Sequence, residues 1–218
     1  LPGASAHDIL RSGSAIPAAA LGRAVTAVRS VRANGVREHR LADELAVIRK
    51  FADRTEVVDS KLADEMRAAE EAFGRRSGAG TADAGPDGAA PLVFAHRDLH
   101  DKQILCDGPN VGLIDWDLAA LAPTALDPGN FLAHLTLRRL QGRILDKRAE
   151  TTREAFLAGP DGTTVAGGPD ASGPEMRNLH DWVSVALLRL VGVYALRPGW
   201  PGLSRRLLAA FHHSLETA

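Results

Sequence analysis

The stretch from Leu92 to Asp117 reads LVFAHRDLHDKQILCDGPNVGLIDWD, and it decides how the fold is interpreted. Its short apolar runs, bounded by polar or turn residues, predict strands at Leu92–Phe94, Ile104–Cys106 and Val111–Ile114. The sequence Asp107–Asn110 predicts a turn that joins the last two strands as a hairpin. The first strand is expected to be buried and to end in a dense polar cluster.

The polar cluster spans His96–Gln103, and the hairpin returns a further carboxylate, Asp115, to the same region. Two carboxylates and a side-chain amide are therefore expected to meet there. Such oxygen donors suit Mg²⁺ better than zinc. A separate carboxylate, Asp98, is available to orient or deprotonate a hydroxyl group.

The pattern from His96 to Leu99, with Gln103 four residues later, resembles the catalytic loop H-R-D-L-x-x-x-N of protein-kinase-like phosphotransferases. Asp115 comes seventeen residues after Asp98 and follows an apolar strand. In that position it resembles the metal-binding Asp of the D-F-G sequence. The resemblance therefore covers both the catalytic loop and the metal-binding strand end.

The wider context is more similar to the aminoglycoside phosphotransferase family, which includes choline-kinase-like and other small-molecule kinases. Its members typically read H-G-D-L-H-x-x-N, then I-D-W, then an Asp that opens a helix. In this chain that last position is Asp127. The resemblance is strong from about Val93 to Leu135 and extends more faintly to Leu1–Val28.

The resemblance implies roles for particular side chains. Asp98 corresponds to the catalytic Asp that accepts or orients the proton of the acceptor hydroxyl, and Gln103 and Asp115 to the residues that hold Mg²⁺. His96 and Asp127 are expected to brace the catalytic loop. The residues expected to contact substrate or phosphate are His100, Lys102 and Asp117. Gln103 keeps the amide oxygen of the usual Asn but adds a methylene group.

The same resemblance implies an α+β, mainly helical fold: a protein-kinase-like C-terminal lobe with a small β-hairpin that carries the catalytic loop. Helical spacing of apolar residues agrees, beginning with a stripe from Leu21 that predicts a helix ending at Gly35. We expect a single lobe over residues 1–218. Its parts are a post-hinge connector (1–18), helices (19–75), a flexible loop (76–91), the catalytic and metal-binding core (92–127) and a helical substrate-side subdomain (128–218) with a loop at 159–174.

The nucleotide-binding lobe that this family requires has no counterpart in the sequence. There is no glycine-rich phosphate loop, and none of the four lysines lies in a strand-like context. The lysines are Lys50, Lys61, Lys102 and Lys147. We therefore expect the chain to begin just after the interlobe hinge, and the intact protein to contain an N-terminal lobe.

The resemblance thus predicts a cytoplasmic phosphotransferase that moves the γ-phosphoryl group of ATP or GTP, with Mg²⁺, to a hydroxyl of a small molecule. The alternative is a catalytically inactive kinase-like binding or regulatory module that lacks the nucleotide lobe. A further alternative is metal-dependent hydrolysis by His96, Asp98 and His100, but no second histidine motif accompanies them.

Composition restricts the partners. The 218 residues carry a formal net charge of −1, which argues against a nucleic-acid-binding protein. The longest apolar stretch, Trp182–Leu196, contains Arg189 and is too short and too polar to span a membrane. The single cysteine, Cys106, excludes a disulfide framework.

The acceptor is not identified by the sequence. Tyr194, on the apolar stretch, is expected to pack in the core. A cationic aminoglycoside would need an acidic pocket. The acidic residues available for such a pocket are Asp117, Glu150, Glu154, Glu175 and Asp181. The basic residues expected to form a solvated face are Arg138, Arg139, Arg143, Lys147 and Arg148.

Overall fold

The computed structural model describes residues 3–77, 92–158, 165 and 174–216. Within them the helices are α1 (Ala6–Arg11), α2 (Ala18–Val28), α3 (Leu41–Glu56), α4 (Ser60–Ser77), α5 (Leu126–Leu140), α6 (Asp146–Leu157), α7 (Pro174–Ala195) and α8 (Leu203–Glu216). The strands are β1 (Ala4–Ser5), β2 (Leu92–Ala95), β3 (Ile104–Asp107), β4 (Asn110–Leu113) and β5 (Ala120–Pro123). The chain is therefore a mainly helical α+β protein, as predicted. The predicted loops 76–91 and 159–174 lie almost entirely outside the described residues.

The strands form two small antiparallel sheets. One has the order β1-β3-β4 and contains the predicted hairpin, in which Cys106 is opposite Val111. The other pairs β2 with β5, in a register that sets Leu92 opposite Pro123. The sequence did not predict β5, because its residues, ALAP, have low β-propensity. The prediction that the first strand is buried was wrong for most of its length: only Ala95 is buried, since a two-stranded sheet leaves one face partly open.

The helices pack around α7, which contacts α3, α5 and α8. Two glycines allow close approach. A Cβ atom on Gly129 of α5 would lie 2.7 Å from the Trp182 Cβ of α7, and one on Gly192 would lie 2.5 Å from the Phe51 Cβ of α3. Such distances are far below van der Waals contact. α7 therefore lies close against both α5 and α3. Within the described residues, no helix is both long and apolar enough to cross a bilayer.

The N-terminal part differs from the prediction. The segment 1–18, expected to be a connector, contains β1 and α1; Ser5 caps α1 by accepting a hydrogen bond from the Asp8 amide (3.1 Å). A six-residue helix is too short to show a full apolar period, so the pattern did not reveal it. α2 ends at Val28, not at Gly35, and the Ser30 hydroxyl donates to the Ala27 carbonyl (2.7 Å), one of the carbonyls at the helix end.

Candidate functional site

The segment between β2 and β3 carries the predicted catalytic residue, Asp98. The His96 side chain fixes this segment through two hydrogen bonds. Its Nε2–H donates to the Ile114 carbonyl (2.8 Å), and its Nδ1 accepts from the Asp98 amide (3.3 Å). His96 is fully buried. The ring thereby connects the Asp98 backbone to the end of the β4 region.

Asp127 ties the same segment to α5. Its Oδ2 accepts from the His96 amide and its Oδ1 from the Arg97 amide, both at 2.7 Å. Asn130, one turn further along α5, donates to the Arg97 carbonyl (2.7 Å). Burial raises the pKa of Asp127, and the two amide hydrogen bonds oppose that rise. These bonds hold Arg97 at a φ of +70°, a conformation that few residues other than glycine adopt.

Gln103 and Asp115, the predicted metal-binding pair, lie together. Gln103 Nε2 donates to Asp115 Oδ2 over 2.8 Å, so the side-chain amide reaches the carboxylate despite its additional methylene. Asp115 also has a positive φ, +66°, and is exposed. A carboxylate and an amide at a partly open loop end provide the hard oxygen donors that Mg²⁺ binds. The donor set thus fits this ion.

Arg189 of α7 lies between Asp98 and a buried acid of α3. Its Nη2 is 4.0 Å from Asp98 Oδ1, and its Nε is 3.2 Å from Glu44 Oε1. Glu44 also pairs with His39 (2.8 Å). Burial acts to raise the pKa of Glu44, but Arg189 and His39 outweigh it and hold the pKa below its usual value. The Arg189–Glu44 pair is a feature that the sequence analysis missed, although a lone arginine in an apolar helix was a signal for it.

Asp101 forms a second buried ion pair. Arg138 of α5 binds both of its oxygens, at 2.8 and 2.9 Å, and His7 of α1 approaches Oδ2 to 2.6 Å. The pKa of Asp101 is lowered: burial would raise it, and the Arg138 guanidinium more than compensates. The prediction of a solvated basic face was therefore wrong for Arg138, which is buried because Asp101 lies opposite it.

A cavity of about 350 Å³ lies beside Asp98. Of the three predicted contact residues, His100 and Lys102 line it and Asp117 does not. The sequence analysis missed the other polar residues of its wall, which come from distant helices: His134, Arg138, Tyr194 and Arg197, with Arg189. Tyr194 thus faces the cavity as well as the core. None of the acids considered for a cationic acceptor lines the cavity among the described side chains.

The geometry around the histidines disfavours a hydrolytic metal site. Both ring nitrogens of His96 are bonded to backbone groups, so His96 has no free ligand atom. The structure does bring ligand atoms of His100, Asp101 and His134 within 4.8 Å of one another. However, the Asp101 oxygens are already bound by Arg138. An arginine-paired carboxylate is a poor metal ligand, which disfavours the hydrolase interpretation.

Comparisons with known proteins identify the family and the fold. The chain matches the profile of the Phosphotransferase enzyme family (APH) over residues 2–163. No curated protein matches it in sequence. Its fold is similar to those of several small-molecule kinases of known structure.

Choline kinase from Cryptosporidium parvum Iowa II has a TM-score of 0.63 at 10% identity, over 100% of this chain and 69% of that one. A glucosamine kinase in complex with glucosamine, ADP and inorganic phosphate has a TM-score of 0.62 at 21% identity, over 97% and 60%. A choline/ethanolamine kinase family protein from Mesorhizobium loti has a TM-score of 0.58 at 15% identity, over 91% and 62%. This chain thus spans about two thirds or less of these kinases. At such identities the likeness establishes the fold alone.

Proposed function

Because the chain belongs to the phosphotransferase enzyme family, we propose that it forms the acceptor and metal side of a small-molecule kinase. The reaction is transfer of the γ-phosphoryl group of ATP or GTP to an alcohol. One observation carries the proposal. The segment between β2 and β3 places Asp98 in the wall of a cavity. The same segment ends at Gln103, whose Nε2 atom lies 2.8 Å from Asp115 Oδ2. The catalytic and metal-binding residue types of the family therefore occur in one constellation.

Asp98 is the proposed catalytic residue. It accepts the proton of the acceptor hydroxyl as the oxygen–phosphorus bond forms and the bond between the γ-phosphorus and the leaving nucleoside diphosphate breaks. The proton then passes to solvent. The braces from His96 and Asp127 fix the backbone of this residue before substrate arrives, which lowers the cost of positioning.

Gln103 and Asp115 are the proposed ligands of Mg²⁺. The ion supplies charge neutralisation at the transferring phosphoryl group. In the structure the Gln103 side-chain amide donates to Asp115. With a cation bound, we expect the amide oxygen to turn towards it, because only that atom of the amide can act as a ligand.

Nucleotide binding needs a further group of residues. All four lysines of the chain lie in helices or in the 3-10 turn Asp101–Gln103, and none lies on a strand. We propose that the nucleotide is held between this chain and a strand-rich lobe that supplies the phosphate-binding lysine. In support, this chain covers only 62% and 60% of two of the similar kinases, which are therefore longer than the part that it matches.

The test is phosphoryl transfer by the protein expressed from its complete reading frame. With Mg²⁺ and ATP or GTP, screened against a panel of alcohols, Asp98→Asn is expected to lose about 100-fold or more of the turnover. Asp107→Asn, an exposed substitution on the β3–β4 turn, is the matched control and should keep it. Equal turnover by wild type and Asp98→Asn would overturn the role of Asp98. No transfer by wild type would favour the inactive binding or regulatory module.

A further inference from the structure

The cavity beside Asp98 is lined by more positive than negative charge. Five basic side chains face it, whereas Asp98 is the one acidic side chain in the wall described. The basic residues are Arg97, Lys102, Arg138, Arg189 and Arg197. A wall of this composition attracts anions and repels the ammonium groups of cationic acceptors.

Ion pairs cancel only part of this charge. Asp101 neutralises Arg138, and Glu44 pairs with Arg189. Within the described residues, the other three cations form no ion pair. The Arg197 guanidinium lies over the Tyr194 ring and donates a hydrogen bond to the Tyr194 hydroxyl. The cavity therefore keeps a net positive charge after its neighbours are counted.

Arg97 gives the second, independent observation. It is 8% exposed, and its Nε and Nη1 atoms are buried without a hydrogen-bond partner in the described part of the chain. Burial lowers the pKa of this guanidinium. Unpaired buried donors destabilise the folded state, and charged donors do so more strongly. Arg97 lines the cavity, where a ligand with acceptor oxygens would supply partners for its guanidinium.

His134 reports the same positive potential. Burial, together with His100, Arg138, Arg189 and Arg197, holds its pKa well below the usual value. Its Nδ1 is buried and has no partner among the described residues. The lowered pKa keeps His134 neutral at neutral pH, so this histidine adds no positive charge to the wall.

The positive wall lies apart from the proposed metal ligands. Neither Gln103 nor Asp115 lines the cavity. The apolar part of its wall comes mainly from α3 and α7, which suits a carbon skeleton. The apolar side chains are Val47, Phe51, Leu190 and Val193, with Leu118 from the segment before β5.

Resting on the phosphotransferase function proposed above, we propose that the acceptor is an anion: a hydroxylated small molecule whose carboxylate or phosphate group is bound by Arg97, Arg189 and Arg197 while its hydroxyl faces Asp98. This is the opposite charge to that of an aminoglycoside. The wall's excess of guanidinium groups favours planar or tetrahedral oxyanions, which arginine binds in bidentate fashion.

The experiment compares four probes with one sugar skeleton and different charge. Binding of glucuronate, glucose 6-phosphate, glucose and glucosamine to the protein from its complete reading frame is measured by calorimetry. We expect glucuronate or glucose 6-phosphate to bind at least about 10-fold more tightly than glucosamine, equivalent to about 1.4 kcal/mol. The first two arms distinguish a carboxylate from a phosphate. Equal binding, tighter binding of glucosamine, or no binding of any probe would overturn the proposal.

Substitutions of the cavity arginines test whether the preference for anionic sugars arises in this cavity. Arg97→Gln should remove the anion preference, and Arg197→Gln, an exposed substitution that does not threaten the fold, should reduce it by about 10-fold or less. Arg54→Gln removes the same charge from the exposed side of α3 and is the matched control. An unchanged preference in both cavity variants would contradict the assigned site.

A further arm separates the two proposals. Binding of the anionic sugar is repeated with Mg²⁺ and the non-hydrolysable nucleotide AMP-PNP. If the cations serve the phosphates of the donor, the nucleotide abolishes sugar binding and the acceptor proposal fails. Transfer to glucosamine or glucose but not to the anions would also refute it, while leaving the phosphotransferase function intact. Anion binding without any transfer would refute the phosphotransferase function alone.

Discussion

The two ends of the segment His96–Gln103 are held in different ways. At its start, His96 and Arg97 are buried, and their amides bind the carboxylate of Asp127. At its end, the Gln103 side chain donates to the exposed Asp115, while the Gln103 backbone is bonded to His100 and Ile114. The start is therefore held through buried side chains, whereas the end presents its proposed metal-binding side chains close to solvent.

This difference matches the chemistry proposed for each end. A residue that receives a proton must be positioned before the reaction, and a buried hydrogen-bond network provides that. A metal ion brings its own geometric preference, so its ligands need only be within reach. Substitutions at the two ends should accordingly separate stability from activity.

The largest effect is expected at the buried end, from Asp127→Ala. The change leaves the His96 and Arg97 amides buried without an acceptor, and we expect it to cost about 3–5 kcal/mol of unfolding free energy. Urea unfolding measures this loss. Asp127→Asn keeps one acceptor oxygen and should recover part of it. A loss below about 1 kcal/mol for the alanine variant would show that Asp127 does not brace the segment.

The signals at the buried end are local in the sequence. Asp98 and Asp127 were named from short motifs next to strand and helix patterns, and the helix that Asp127 was expected to open begins one residue earlier, at Leu126. The proximity of Gln103 and Asp115 also followed from one local element, the β3–β4 hairpin.

The cavity wall could not be predicted in this way. Arg189 and Tyr194 come from α7, and they meet the segment only through helix packing that depends on Gly129 and Gly192. Arg138 looked solvated because its partner, Asp101, is 37 residues away. Pairings over such distances leave no periodic signal in one sequence.

An intermediate effect is expected at the centre of the segment, where His134 stacks on His100 (4.7 Å between ring centroids). Burial, His100 and the surrounding Arg138, Arg189 and Arg197 lower the pKa of His134 in the folded state. As pH falls below about 6.5, the unfolded chain binds a proton at this residue that the folded chain does not. The contribution of His134 to the free energy of unfolding is therefore present above that pH and is lost as the pH falls. The loss is at most about 1.4 kcal/mol per pH unit.

Urea unfolding at pH 7.5 and at pH 5.5 tests this slope. His134→Asn lacks the titrating group, so its stability should fall less between the two pH values than that of the wild type. His213→Asn, on an exposed histidine of α8, is the comparison and should keep the wild-type difference. Equal pH dependence of the wild type and His134→Asn would show that folding does not suppress the charge on His134.

The smallest effect on stability is expected at the exposed end, from Asp115→Asn. Asn tolerates a φ of +66° as well as Asp does, and its side-chain oxygen can still accept from Gln103. We expect unfolding free energy to change by less than about 0.5 kcal/mol. Mg²⁺-dependent phosphoryl transfer should nevertheless fall by about 100-fold or more, because the anionic ligand is gone. Asp107→Asn on the same hairpin is the control for the lost charge and should leave both properties unchanged. A destabilisation of Asp115→Asn comparable to that of Asp127→Ala would mean that this end, too, is fixed by the fold, and undiminished transfer would mean that Asp115 does not hold the metal.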